Sequence, residues 1–191
     1  MKTILASGSR YRHQLLERLN LAFTGISPDI NETPHPNESP TDLALRLSLE
    51  KAQAISSLHP DALVIGSDQI AVLHGQILGK PGTRDKAIEQ LTQASGQRVT
   101  FLTGLCIIAP GLAEPRVSTI PYHVEFRELK QEEIERYIDS DQPLDCAGSF
   151  KWEKLGISLF KRMEGDDPTA LEGLPLITLS AWLRDLGHQI P

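Results

Sequence analysis

Aromatic residues, cysteines and positive charge are all scarce in this sequence, and no long apolar run interrupts it. Phe, Trp and Tyr make up 5% of the 191 residues, too few for the base-stacking platforms of single-strand nucleic-acid binders. Lys and Arg total 19 against 25 Asp and Glu, for a formal net charge of −6. No basic run follows the chain as a nucleic-acid backbone would require, so no nucleic-acid polymer is expected as a partner. No apolar stretch approaches the ~18 residues of a membrane helix, so no membrane association is expected either. The opening "MKTILASGSR" holds an apolar patch too short for a secretory signal, and the expected compartment is the cytoplasm. Cys106 and Cys146 are the only cysteines, far apart, with no C-x-x-C and no histidine at zinc spacing. Histidines 13, 35, 59, 74, 123 and 188 are scattered without ligand spacing. In so acidic a chain, cations that gather at one place are informative, because they mark where a small anion would bind.

What is present alternates between two periods. Short apolar, β-branched runs at 3–7, 62–73, 98–110, 116–129 and 156–165 read as strands. Helical patterns fall at 9–20, 42–58, 83–96, 130–139 and 175–187. That alternation predicts an α/β fold. The length suits one sizeable domain, 1–191, or two small lobes sharing a core. Ser9 is placed as an N-cap, Pro40 and Thr41 as the start of the long helix, and His59-Pro60 as its end. The Pro- and Asn-rich "ETPHPNESP" reads as the most mobile loop.

One stretch resembles a phosphate loop: "GQILGKPG", at 75–82. A P-loop requires G-x-x-x-x-G-K-[ST] followed directly by a helix. Here three residues separate Gly75 from Gly79, and Pro81 stands where the hydroxyl belongs. Proline also disfavours helical geometry in the residue before it. The stretch is a turn carrying Lys80, not a P-loop. Taken alone, such a lysine is a solvated turn residue, so its weight comes from three other stretches.

In "LASGSRYR" a strand runs through Ser7-Gly8-Ser9 into a helix, placing amides and hydroxyls at a positive helix end with Arg12 one turn on. The plain alternative is an N-cap beside a surface arginine. Lys51 falls inside an apolar helical series, four residues from Leu47 and four from Ile55, so it must snorkel or meet an anion. Asp68 ends the apolar run "LVIGSD", where a carboxylate flanked by hydrophobic mass suits a general base or a metal ligand. Its alternative is an ordinary turn-capping aspartate.

"LASGSRYRHQLLERL", "DINETP", "LEKAQA", "VIGSDQIAVLHGQILGKP", "ASGQRVTFLTGL", "CAGSF" and "EGLPL" follow one another as in the Maf-like nucleotide pyrophosphatases, and the resemblance covers essentially the whole chain. It implies a two-lobed α/β fold with an extended mixed β-sheet, flanking helices and a nucleotide cleft between the lobes. It also implies homodimers, a divalent cation (Mg²⁺ or Mn²⁺), and hydrolysis of a nucleoside triphosphate to monophosphate plus pyrophosphate. By the same resemblance Ser7 and Arg12 match the first phosphate-binding turn, Glu32 an acidic loop residue, and Lys51 the helix lysine. Asp68 matches the proton acceptor and Lys80 the lysine of "GKP". Glu32 and Asp68 are both candidate metal ligands, with their division of roles open. The family name also suggests a second reading, a nucleotide-binding regulator linked to cell division.

Three positions bear on the base. Tyr11, Gln69 and Glu153 stand where the pyrimidine branch of the family commonly has arginine, threonine and glutamine, and together they resemble the branch acting on 7-methyl-GTP. The physics agrees, because N7-methylguanine carries a delocalised positive charge that gains cation–π attraction over an aromatic face. A carboxylate can accept from both N1–H and N2–H of that base. A neutral pyrimidine, as in dTTP or UTP, gains less. Trp152, beside Glu153, is either a second stacking wall or a core lid.

Overall fold

The computed structural model describes all 191 residues. In chain order the elements are β1 (Lys2–Ala6), α1 (Arg10–Glu17), β2 (Thr24–Gly25), α2 (Pro40–Ser56), β3 (Ala62–Leu73) and β4 (Gln76–Leu78). Then come α3 (Arg84–Ala94), β5 (Arg98–Ile108), β6 (Arg116–Phe126), α4 (Gln131–Asp141), β7 (Phe160–Glu164) and α5 (Leu176–Asp185). Two 3-10 turns lie at Leu155–Leu159 and Pro168–Glu172. The strands form one seven-stranded mixed sheet in the order β2-β1-β3-β5-β6-β7, with β4 added onto β3. β1 is parallel to β2 and β3, whereas β3–β4 and β6–β7 are antiparallel.

The chain divides into two compact units, the first built from 1–69, 102–121 and 166–191, the second from 70–101 and 122–165. In the first unit the strands are apolar on both faces, as strands covered by helices on each side must be. Leu5, Leu63, Ile65, Leu105 and Ile107 bury one face with Leu15 and Leu16 of α1 and Leu179 and Leu183 of α5. Ile4, Ala6, Val64 and Cys106 bury the other with Ala52 and Ile55 of α2. Burial pushes the Cys106 thiol up to about 12, so it behaves as a small hydrophobe. Gly66 and Gly104 let α2 settle on the sheet, since a Cβ at either would collide with the backbone of Ser48 or Ala44. Small residues at 44, 48 and 52, four apart, form the helix side of that contact.

The second unit packs Phe101, Phe126, Phe150 and Phe160 edge to face, with centroids 4.8–5.6 Å apart. The β3–β4 hairpin turns on His74 and Gly75, both at positive φ (50° and 78°). This pair matches a two-residue turn of the primed kind, so Gly75 serves the hairpin.

Some boundaries differ from those read off the sequence. The strand expected at 156–165 is a 3-10 turn followed by β7 alone, Phe160–Glu164. Helix α2 ends at Ser56, and Leu58, the last residue of the helical pattern expected at 42–58, is 72% exposed. The two-residue β2 is too short to leave a periodic trace.

Candidate functional site

The strand–turn–helix at the start of the chain forms a tight loop. The Ser7 amide donates to Leu5 O at 2.9 Å, and Ser7 Oγ accepts the Ser9 amide at 3.1 Å. Ser9 is the N-cap of α1, but its hydroxyl makes no capping bond. His13 secures the loop from behind: its Nε2 lies 2.9 Å from Ser7 O. A carbonyl only accepts, so Nε2 carries the proton. The ring packs edge-on against Phe23 at 5.6 Å. Sequence reading gave His13 no role, and its only signal was its place one turn beyond the serines.

Arg12 reaches across this loop. Its Nε donates to Gly173 O at 2.8 Å, and Nη1 lies 3.5 Å from Ser7 Oγ. Burial lowers the pKa of its guanidinium, while the negative charges of Asp68 and Glu32 oppose that shift. An arginine starts so high that it stays a cation at any ordinary pH.

Asp68 and Lys51 meet because Gly66 and Gly104 bring α2 onto the sheet. Side chains alternate along a strand, so Gly66 and Asp68 of β3 face α2 while Ser67 and Gln69 face the other way. Lys51 Nζ donates to Asp68 Oδ1 at 2.6 Å and pairs with Glu32 Oε1 at 2.7 Å. The side chains of Lys51 and Asp68 are 8% and 10% exposed, that of Glu32 60%. The lysine of the apolar stripe therefore meets two anions. Asp68 Oδ2 keeps no hydrogen-bond partner.

Glu32 sits on the "ETPHPNESP" loop. The loop has no regular structure, yet Arg46 of α2 holds it. Its Nε and Nη2 grip Glu38 at 2.6 and 2.9 Å, Nη2 reaches Thr33 O at 3.1 Å, and Nη1 reaches Glu50 at 3.1 Å. The bond from Arg46 holds the Glu38 carboxyl down at about 2. A depressed carboxylate stabilises the fold fully above its unfolded value and loses that contribution as pH falls through the folded value. The thermal-midpoint difference between wild type and Glu38→Gln should therefore be constant near neutral pH and shrink as pH drops from about 4.5 towards about 2. Arg46→Ala should free the 31–38 loop and lower hydrolysis by roughly tenfold or more, as expected when a charged group near the reaction shifts by about 1 Å. Unchanged turnover in that variant would mean that Glu32 does not depend on the clamp.

Gln69, read as a base-facing residue, spends its amide on the protein: Nε2 lies 2.7 Å from Ala170 O, 3.0 Å from Leu171 O and 3.3 Å from Thr103 Oγ1. Tyr11 lies under the Arg10 guanidinium, 4.8 Å from ring centroid to Cζ, and its hydroxyl accepts from Arg10 Nη2 at 2.9 Å. The ring thus already serves as a cation–π face. Ser7, Tyr11, Arg12, Glu32, Lys51, Asp68 and Gln69 all belong to the first unit, whereas Lys80 and Glu153 belong to the second. Both of the latter are exposed and make no hydrogen bond or ion pair. The indole of Trp152 is half-buried, with Nε1 buried and unpartnered.

No three His, Cys, Asp or Glu side chains gather as an all-protein metal cage. Magnesium does not need one, since it is commonly held by one or two carboxylates plus substrate phosphates. Glu32 and Asp68 fit that donor set, and the Lys51 ammonium bridging them marks a spot that already accommodates a cation.

No helix is long and apolar enough to cross a membrane. A solved structure of the Staphylococcus aureus Ham1 protein superposes with a TM-score of 0.54, covering 97% of this chain and 99% of that one at 16% identity, a likeness of fold. The chain is 56% identical over 188 residues to a protein of Alcanivorax borkumensis named 7-methyl-GTP pyrophosphatase, covering 98% of this chain and 95% of that one. Proteins of the same name from Aromatoleum aromaticum and Pseudomonas aeruginosa are 53% and 52% identical, each over 98% of its own length. The Maf-like protein family model matches residues 2–186, and the chain belongs to that family.

Proposed function

We propose that this protein hydrolyses 7-methyl-GTP to 7-methyl-GMP and pyrophosphate, removing a modified nucleotide from the pool. The observation that carries the reading is Lys51 paired with both Asp68 and Glu32, with Arg12 at the Ser7 turn within the field of both acids, in a chain of net charge −6. Cleavage between the α- and β-phosphates builds negative charge on non-bridging oxygens and on the departing pyrophosphate. Fixed cations in a partly dry site stabilise that charge better than water does. Arg12, Lys51 and the Ser7 turn bind the phosphates, and the family likeness gives Lys80 a phosphate-binding role as well. Asp68, held at Oδ1 by Lys51, accepts the proton of the attacking water at Oδ2. A divalent ion held by Glu32 and Asp68 would neutralise phosphate charge there.

Specificity follows from the charge on the base. Tyr11 offers the methylated guanine an aromatic face, and the family likeness gives Glu153 the role of accepting from N1–H and N2–H. Gln69 acts through the 170–171 turn it holds. The protein works as a homodimer in the cytoplasm, as the family likeness suggests.

Purified protein with Mg²⁺ or Mn²⁺ should release pyrophosphate from 7-methyl-GTP with kcat/KM about tenfold or more above GTP, dTTP and UTP, the ratio expected from about 1.4 kcal/mol of cation–π and charge-assisted preference. Equal turnover of dTTP and UTP would overturn the specificity. No pyrophosphate from any nucleotide would overturn the reaction class.

A further inference from the structure

The carbonyl of Gly173 ties together two residues that lie far apart in the chain. It accepts Arg12 Nε at 2.8 Å and Ser67 Oγ at 2.8 Å. Ser67 is wholly buried, and its hydroxyl also lies 2.7 Å from Gly104 O, so one proton is shared between two carbonyls. Gly173 has φ 98°, and a Cβ there would come within 3.3 Å of Arg12 Nε, so both its backbone shape and its closeness to the guanidinium call for glycine.

The turn bearing this carbonyl is itself fixed on several sides. Thr103 Oγ1 donates to Ala170 O at 2.8 Å, and Gln69 holds Ala170 O and Leu171 O. The buried Asp167 accepts the Thr169 hydroxyl at 2.5 Å and the Ile177 amide at 2.7 Å, which locks the turn to the start of α5. With Nε bound to this turn, the guanidinium plane of Arg12 has one edge fixed. Its Nη1 faces Ser7 Oγ at 3.5 Å, and the negative charges of Asp68 and Glu32 act on the guanidinium.

We infer that Ser67 is a positioning residue, which through the Gly173 carbonyl sets the orientation of Arg12 toward the phosphates. Asp68 and Ser67 are neighbours on β3 and point to opposite faces, so one strand seats both halves of the site. Asp68 meets Lys51 on the α2 face, and Ser67 meets the Arg12 anchor on the α1 face. The inference rests on the hydrolase reading above.

A double-mutant cycle on 7-methyl-GTP hydrolysis, with thermal midpoints measured in parallel, tests it. In the wild-type background Ser67→Ala should lower kcat by about tenfold to a hundredfold, the scale of a misplaced catalytic contact, while KM moves by less than about threefold. Ser67→Cys keeps a weak donor of similar size and should recover part of the loss. In an Arg12→Lys background, which retains the charge but lacks the Nε–H, the same Ser67→Ala change should cost less than about twofold, because residues acting through one contact are not additive. An equal loss in both backgrounds, or no loss in the first, would overturn the inference while leaving the hydrolase reading intact. Wild type that releases no pyrophosphate would instead remove the reading beneath it. If Ser67→Ala fails to fold, the cycle is run with Ser67→Cys, whose smaller loss must likewise vanish in the Arg12→Lys background.

Discussion

Asp68→Asn should reduce turnover of 7-methyl-GTP by about 10²–10⁴, the range for loss of a positioned general base, while nucleotide binding is kept or strengthened. Asparagine preserves the shape of the side chain, and its carbonyl oxygen can still accept from Lys51, which sits 2.6 Å from Asp68 Oδ1. What disappears is the capacity to take a proton. The change also removes a negative charge from the neighbourhood of a polyanionic substrate, so affinity measured without divalent ion, where the loss of a metal ligand does not enter, has no reason to fall. Lys51 stays paired to Glu32 at 2.7 Å, and its ammonium is not stranded. Single-turnover hydrolysis and equilibrium binding, measured on the same preparation, separate the two effects. A variant retaining more than about a tenth of wild-type turnover would exclude Asp68 as the proton acceptor. The variant also bears on the regulator reading, because a biological effect that survives the loss of hydrolysis would make binding the function.

The parts of this molecule legible in its sequence are those governed by local period and by charge in unusual company. The buried strands announced themselves because apolar residues on both faces leave a continuous run, as in "ALVIGSDQIAVL". Lys51 was legible because a lysine four residues from Leu47 and from Ile55 has to be explained, and the explanation proved to be Asp68 and Glu32. The contacts that support the site were not legible, since they join residues remote in the chain. Arg12 to Gly173 spans 161 positions, and Ser67 to Gly173 spans 106. A serine that bonds two carbonyls looks like any small buried residue. Arg46 reads as a surface cation on a charged helix face, and only the folded 31–38 loop reveals it as a clamp. The close helix–sheet packing does have a local trace: Ala44, Ser48 and Ala52 of α2 step by four opposite Gly66 and Gly104.

The other large effect belongs to the lysine between the two acids. Lys51→Met keeps the length and apolar stem of the side chain but removes the only cation that bonds Asp68, whose side chain is 10% exposed. Stranding one partner of a buried ion pair costs about 3–5 kcal/mol. The lower part of that range applies here, because Glu32 is 60% exposed and can return to water, and because the positive charge of Arg12 still acts on Asp68. For a chain of this size such a loss lowers the thermal midpoint by roughly 10 °C. Hydrolysis should fall by about 10² or more, since both a phosphate-binding cation and the brace on the proton acceptor are lost. Adding Asp68→Asn to Lys51→Met removes the stranded charge, and a neutral amide beside a methionine has far less to desolvate. The double variant should therefore regain most of the lost thermal stability while staying inactive, a coupling that independent contributions would not produce. A double variant less stable than Lys51→Met alone would show that Asp68 is not a buried charge neutralised by this lysine, and the electrostatic basis assigned to the site would fail with it.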